Sequence, residues 1–248
     1  MNKTKPNIIE HISTLPKTKP VLENFGIYIE DIHESLPRYN GSIYDIIGKG
    51  GSGKSSLFLS LFKSTDFLKC KFDEIHYIIN EGSYNSVKNN PFKDHEKVHH
   101  EISPGLLYEI YEDALERKEE SQKNKQPLEH TCIIIDDFGS ELKNPDIQHA
   151  LSTILIVARH AGLYVVLICQ TYKMMPSFLR RILTNITLFR CNNEEWELIC
   201  KEVLLKRRDT CTHLYNYVFD KLYNHLTVDI KTGEIRKIFN LLEIRNEN

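Results

Sequence analysis

Residues 48–55, GKGGSGKS, restrict the possible folds of this chain more than any other segment. They match the pattern G-x-x-x-x-G-K-[ST] in full. Glycines let backbone N–H groups turn around phosphate oxygens, and the positive end of a following helix adds to the attraction. We therefore expect a phosphate-binding loop made of Gly48, Gly50, Gly51, Ser52, Gly53, Lys54, Ser55 and Ser56.

The flanks of this loop provide the context that the pattern requires. An apolar run at 43–47 precedes it, and a helix-like stretch at 54–63 follows it. In a strand–loop–helix unit, Lys54 would reach the β- and γ-phosphates of ATP, and the Ser55 hydroxyl would bind Mg²⁺. A glycine loop that arose by chance would not be expected to have both flanks.

Two carboxylates follow another apolar run, HTCIIIDD at 130–137. Asp136 would hold Mg²⁺ through water molecules, and Asp137 would act as the general base for the attacking water. Alternatively, Asp137 only caps a turn. Glutamate is the more usual base in such sites, so an aspartate at position 137 departs from the common pattern.

Strand-like and helix-like segments alternate from 43 to 191. Continuous apolar runs such as LYVVLIC (163–169) are typical of a parallel sheet that is covered on both faces. Since ligands bind at the carboxyl ends of such strands, we expect Gly48, Asp136 and Gln170 to gather at one edge. There Gln170 would contact the γ-phosphate or the attacking water, unless it is an ordinary polar strand end.

The fold class predicted is α/β, with a mostly parallel central sheet flanked by helices. We divide the chain into a flexible N-terminal arm (1–24), an ATPase core (25–200) and a helical and hairpin extension of the same domain (201–248). Within these limits the patterns predict strands at 25–32, 72–80 and 186–191, a long loop at 81–103, helices at 104–123, 144–162, 176–183, 194–206 and 211–225, and a hairpin at 225–239.

The net charge of -2 excludes a basic field over the whole molecule, so nucleic acid would have to bind a local patch. The stretch 147–193 contains no Asp or Glu. Within it, Lys173, Arg180 and Arg181 could contact a phosphate backbone, or could be ordinary solvated cations. Arg159 either complements a helix dipole or reaches the ATP of a neighbouring subunit.

Three further patterns exclude other classes of protein. The six cysteines form no CxxC pair and lack the tight spacing with His of a zinc site, which indicates reduced thiols. The N-terminus has no apolar segment of the kind found in signal peptides. Charged Arg159 interrupts the most apolar stretch, 150–169, so we expect no membrane span and a soluble, intracellular protein.

The run ARHAGLYVVLICQTYKMMPSFLRRILTNITLF resembles the genome-packaging ATPases of poxviruses, other large DNA viruses and virophages, in the FtsK/HerA group of P-loop motors. The resemblance covers roughly 43–191. The residues that carry it are Arg159, His160, Gln170, Pro176, Arg180 or Arg181, and Asn185.

This resemblance implies a RecA/FtsK-like P-loop NTPase fold that uses ATP and Mg²⁺. It implies a homo-oligomeric ring, a hexamer or pentamer, that moves double-stranded DNA into a preformed capsid, with a capsid or portal protein as a further partner. Such a protein would act in the host cytoplasm or viral factory, or with the virion. Lys54 and Ser55 map onto the phosphate loop of the group, Asp136 and Asp137 onto its acidic motif, Gln170 onto its polar sensor and Arg159 onto its trans-acting arginine.

We weigh this motor against two alternatives. An ATP-dependent switch or binding module that acts through a partner protein would turn over slowly and ignore DNA. A guanine switch is disfavoured, because the nearest base-reading match, NKQP at 124–127, lacks its acid. A small-molecule kinase would need a lid with clustered arginines, and 81–130 is poor in arginine.

Overall fold

A ten-stranded mixed sheet organises the part of the chain that the computed structural model describes, which is residues 7–11, 32–39, 41–86 and 90–245. The strands are β1 (Asn7–His11), β2 (Ile43–Ile47), β3 (Glu74–Ile79), β4 (Val98–His99), β5 (Thr131–Asp136), β6 (Leu163–Cys169), β7 (Asn185–Phe189), β8 (His225–Asp229), β9 (Ile235–Lys237) and β10 (Asn240–Arg245). Their order across the sheet is β1-β10-β9-β8-β7-β2-β6-β5-β3-β4.

Helices flank this sheet. They are α1 (Lys54–Leu61), α2 (Glu81–Ser86), α3 (Pro104–Lys123), α4 (Pro145–Val157), α5 (Ser177–Ile182), α6 (Asn193–Ile199) and α7 (Arg208–Val218). Alternate residues of β2 belong to two separate apolar clusters, Ile43 and Ile47 to one and Tyr44 and Ile46 to the other. Since side chains alternate between the faces of a strand, both faces of the sheet are covered.

One half of the sheet is parallel and carries the sequence motifs. Here β2 pairs with β6 and β7, β5 pairs with β6 and β3, and β3 pairs with β4, all in parallel. The predicted α/β class with a mostly parallel sheet is confirmed. β6 lies between β2 and β5, so the strand that ends before Gln170 separates the phosphate-loop strand from the acidic strand.

The other half is antiparallel and is built from β8, β9, β10 and β1. The predicted hairpin at 225–239 is confirmed as β8 and β9. The predicted flexible arm at 1–24 is wrong at residues 7–11, which form β1 and pair with β10. The edge of β10 offers backbone partners to this segment, and Ile8 packs against the apolar core.

Several helices follow the sequence closely because their ends are capped locally. The Ser103 hydroxyl accepts a hydrogen bond from the Leu106 N–H (3.2 Å) at the start of α3. The Asn144 side chain accepts one from the Asp146 N–H (2.9 Å) at the start of α4. Such caps satisfy N–H groups that have no partner within the helix. Helix α5 lies within the predicted 176–183, and β7 starts one residue before the predicted strand at 186–191.

Other boundaries were wrong. The predicted loop at 81–103 contains α2 and β4, because β4 gains backbone partners from β3 that lie far away in sequence. The predicted helix at 211–225 is α7, which ends at Val218, and His225 already belongs to β8. The predicted helix at 194–206 continues beyond α6 as a π-helical turn, Cys200–Leu204. Residues 25–31 of the predicted strand lie outside the described residues.

All six cysteines are free thiols. Within the described ranges, no helix combines the length and the apolar character needed to cross a bilayer.

Candidate active site

The phosphate loop begins directly after β2, at the carboxyl edge of the parallel strands. The Gly48 N–H donates to the Cys169 carbonyl (3.1 Å), which ties the start of the loop to the end of β6. Gly51 and Gly53 have φ angles of 75° and 101°, in the left-handed region that glycine adopts without a Cβ penalty. Helix α1 begins at the next residue, so its N-terminus faces the space inside the loop.

A cavity of about 520 Å³ opens beside this loop. Its lining includes Gly51, Gly53, Lys54, Ser55, Ser56, Leu57, Ser60, Phe189, Tyr223 and His225. The Ser52 hydroxyl is buried and makes no hydrogen bond to any described residue. This hydroxyl packs against Gly48, where an added Cβ atom would lie 2.3 Å from the Ser52 Oγ atom, so the loop needs glycine at position 48.

Asp136 is the last residue of β5 and is 5% exposed. Its Oδ2 atom accepts a hydrogen bond from the Tyr77 hydroxyl (3.1 Å). The pKa of Asp136 is raised to about 6, mainly by burial and also by the charge of Asp137, although the Tyr77 hydrogen bond and the ammonium of Lys54 lower it in part. A buried carboxylate with a raised pKa is stabilised by a nearby positive charge, so this position suits a cation.

Asp137 lies between two polar side chains and has a φ angle of 63°. Its Oδ1 atom accepts a hydrogen bond from the Gln170 amide (2.8 Å), and its Oδ2 atom accepts one from the Ser83 hydroxyl (3.1 Å). Both oxygens therefore bond to side chains rather than to the backbone of a turn. The structure brings Asp137 and Gln170 into direct contact at the edge where the phosphate loop begins.

Sequence reasoning missed Tyr77 and Ser83, which bond to the two acids. Both belong to the β3–α2 segment, and β3 pairs with β5. The available signal was the polar segment that starts at Asn80, directly after an apolar run. Had the order of the strands been known, that segment would have been expected beside Asp136.

Arg159 lies in a short 3₁₀ turn, Ala158–Ala161, between α4 and the amino end of β6. A Cβ atom added to Gly41 would lie 2.8 Å from the Arg159 Cβ. Since Gly41 lies two residues before β2, Arg159 is next to the amino end of that strand. The length of the strands separates it from the phosphate loop, roughly 20 Å at about 3.3 Å per residue. Arg159 is exposed and forms no ion pair with any residue of the described ranges.

The three cations suggested for DNA contact differ in their surroundings. The Lys173 ammonium bonds to Glu194 (2.8 Å), and the Arg180 guanidinium bonds to Glu202 (3.0 Å). Arg181 is exposed and has no such acidic partner in the part of the chain that the structure describes. Acids from α6 and the π-helical turn therefore balance Lys173 and Arg180, so that of these three cations Arg181 is the one without a described acidic partner.

Comparison with known proteins places the chain in a family. The sequence model described as "Poxvirus A32 protein" matches residues 37–228, which is most of the chain. The match includes the phosphate loop, Asp136, Asp137, Arg159 and Gln170. The search of curated proteins found no match to this sequence.

Solved structures share the fold. The genome packaging NTPase B204 of Sulfolobus turreted icosahedral virus 2, in complex with ATP-gammaS, is 20% identical and gives a TM-score of 0.52 over 80% of this chain and 97% of its own. EssC (ATPases 2 and 3) of Geobacillus thermodenitrificans is 12% identical, with a TM-score of 0.56 over 86% of this chain and 42% of its own. The cytoplasmic domain of the Type VII secretion ATPase EccC of Thermomonospora curvata is 13% identical, with a TM-score of 0.53 over 84% of this chain and 24% of its own.

Proposed function

Because this chain belongs to the poxvirus A32 protein family, we propose that it is an ATP-hydrolysing motor that moves double-stranded viral DNA into a capsid. The observation that carries the proposal is that the matched segment, 37–228, holds the complete polar cluster at the carboxyl edge of the sheet. The likeness to a genome packaging NTPase supports the same fold.

The phosphates of ATP are bound by the loop. Backbone N–H groups of the loop and the N-terminus of α1 attract the phosphate oxygens, and the Lys54 ammonium contacts the β- and γ-phosphates. Gly50 and Gly51 support this, since a Cβ atom at either position would have no heavy atom within 4 Å, which leaves that side of the loop open.

The donor set fits Mg²⁺. The described residues contain no group of three or more His, Cys, Asp or Glu side chains that could hold a metal by themselves. Mg²⁺ is commonly bound by one or two protein oxygens together with substrate phosphates and water, and the Ser55 hydroxyl and the Asp136 carboxylate would supply those oxygens. When bound, Mg²⁺ neutralises charge on the phosphates during their transfer.

Hydrolysis uses the paired side chains beyond β5 and β6. Asp137 accepts a proton from the attacking water while that oxygen bonds to the γ-phosphorus and the bond to ADP breaks. The Gln170 amide, 2.8 Å from Asp137, holds the carboxylate in position. When the γ-phosphate leaves, Gln170 loses a contact on one side, and its hydrogen bond to Asp137 passes that change on to the general base.

Arg159 acts on a different subunit. Its place at the amino edge of the sheet keeps it away from the phosphate loop of its own chain, so it contributes only where a neighbouring subunit presents its nucleotide to that edge. We infer a homo-oligomeric ring, a hexamer or pentamer, in which each interface holds one ATP. Positive charge supplied in this way stabilises the transition state of phosphoryl transfer.

DNA contact is assigned to Arg181, with Lys173 and Arg180 contributing if their acidic partners are displaced. A capsid or portal protein receives the DNA. The motor works in the host cell during virion assembly, in the cytoplasm or in the viral factory. A fraction of it stays associated with the virion.

The test is steady-state release of phosphate from ATP, with and without double-stranded DNA, over a range of protein concentrations. We expect turnover to rise with DNA and more than linearly with protein, because the active site is shared between subunits. Turnover that ignores both variables would overturn the motor and favour a slow ATP-dependent switch.

A further inference from the structure

The cavity beside the phosphate loop continues past the loop to an aromatic wall. Phe189, at the end of β7, and His225, at the start of β8, are paired across the two strands, and their ring centroids are 5.2 Å apart. Tyr223 precedes β8 and completes the wall. All three side chains line the same cavity as Lys54 and Ser55.

Tyr223 is the exposed member of this wall. Tyr223 is 59% exposed, so much of its large aromatic ring faces solvent. A Cβ atom placed on Gly53 would lie 3.0 Å from the Tyr223 Cδ1 atom, so the ring lies directly over the last glycine of the loop. Tyr223 also has a φ angle of 67°, a conformation that is costly for a bulky residue and that calls for a reason.

His225 is the buried member, at 5% exposure. Neither ring nitrogen makes a well-formed hydrogen bond to any described residue. The pKa of His225 falls to about 4, because burial lowers it by more than the backbone of Tyr223 raises it. The ring is therefore neutral near pH 7 and offers one N–H donor and one nitrogen acceptor.

Building on the ATPase function proposed above, we propose that this aromatic wall is the nucleobase site of the motor, where a purine base stacks on Tyr223 and its polar edge meets His225. A base has a flat π-face that stacks on an aromatic side chain, and polar atoms on its edge that pair with a donor or acceptor. The wall lies next to the loop that binds the phosphates, so one nucleotide spans both. A neutral histidine has one donor and one acceptor, so it can pair with the polar edge of either adenine or guanine.

The first test compares ATP with inorganic tripolyphosphate, which has the phosphates but no base. Binding of each to the full chain is measured by calorimetry in the presence of Mg²⁺. Tyr223→Ala should weaken ATP binding about tenfold through loss of the stack, and should leave tripolyphosphate binding unchanged. Tyr223→Phe keeps the ring and should bind ATP like the natural protein.

A fluorescent variant provides a second readout that does not depend on activity. The chain has one tryptophan, Trp196, and Tyr223→Trp adds a second at the wall. We expect ATP to quench the added tryptophan and tripolyphosphate to leave it unchanged. The matched control is Leu222→Trp, because Leu222 is 78% exposed and does not line the cavity.

The outcomes separate the two proposals. If ATP and tripolyphosphate both fail to bind the natural chain, the ATPase proposal itself is wrong. Suppose that ATP binds the natural chain. If Tyr223→Ala then weakens the binding of ATP and of tripolyphosphate equally, or weakens the binding of neither, the base does not lie at Tyr223. If CTP binds as tightly as ATP, the site does not select a purine.

Discussion

The two ends of the parallel strands have opposite characters. At the carboxyl ends, Asp136 and Asp137 bond to neighbouring side chains beside the phosphate loop. At the amino ends, Arg159 is exposed and has no acidic partner among the described residues. One chain thus holds the acids and the phosphate loop at one edge of the sheet and an unpaired cation at the other. In the proposed ring, contact between two chains would bring this cation to the acids of its neighbour.

The largest expected effect is at the carboxyl edge. Lys54→Ala should lower ATP hydrolysis more than about a thousandfold, because it removes the cation that contacts the transferred phosphate. Phosphate release measures the loss. Lys63→Ala is the matched control, since Lys63 is an exposed lysine beyond the end of α1. Near-normal turnover by Lys54→Ala would show that the nucleotide binds elsewhere.

At the amino edge, Arg159→Ala should lower DNA-stimulated hydrolysis about a thousandfold, the effect expected of a trans-acting arginine. Mixing this variant with Lys54→Ala should restore part of the activity, because each interface can then combine an intact loop with an intact arginine. His160→Ala, the exposed neighbour, is the control. If mixing restores nothing, the two edges do not meet in the active assembly.

Asp137→Asn should keep ATP binding and lower hydrolysis about a hundredfold, since general-base catalysis contributes an effect of this size. Binding is measured by calorimetry and hydrolysis by phosphate release from the same preparation. The control is Asp94→Asn, an exposed carboxylate outside the site. Unchanged hydrolysis would make Asp137 a structural partner of Gln170 and Ser83.

The last prediction concerns stability and pH in protein without metal. The pKa of Asp136 is raised to about 6. A group whose pKa is raised by folding stabilises the folded state below its unfolded pKa, near 4, and loses that contribution as the pH rises through about 6. The contribution is about 3 kcal/mol.

Asp136→Asn should abolish this part of the pH dependence, as measured by urea unfolding between pH 4 and pH 7 without Mg²⁺. Arg159→Ala, at the opposite edge, should retain it. If Asp136→Asn and the natural protein show the same pH dependence, the carboxylate is not the group that titrates.

The sequence predicted the parallel half of the sheet and its motif positions well, because they depend on local patterns. Apolar runs such as LYVVLIC define β6, and caps such as Asn144 define the start of α4. The expectation that Gly48, Asp136 and Gln170 would gather at one edge agrees with the strand order β2-β6-β5. The catalytic role of Gln170, like those of Asp137 and Arg159, stays a prediction.

What the sequence could not provide depends on contacts between distant segments. Tyr223 meets Gly53 only because β8 pairs with β7, which is itself next to β2. Likewise, Glu194 pairs with Lys173 and Glu202 pairs with Arg180, although the partners in each pair are more than 20 positions apart in the chain. A count of charges along the chain does not reveal these ion pairs. Local periodicity contains no information about such pairings.

The pairing of β1 with β10 bears on how the protein is made. His11 and Glu243 are 232 positions apart and lie within hydrogen-bonding distance (3.3 Å). On the ribosome, residues 7–11 must wait for nearly the whole chain before their partner strand emerges. Strands β2 to β7 can assemble earlier, because their partners lie closer along the chain and loop closure is easier for nearer segments. The nucleotide-binding half can thus form during synthesis, and the far edge of the sheet closes last.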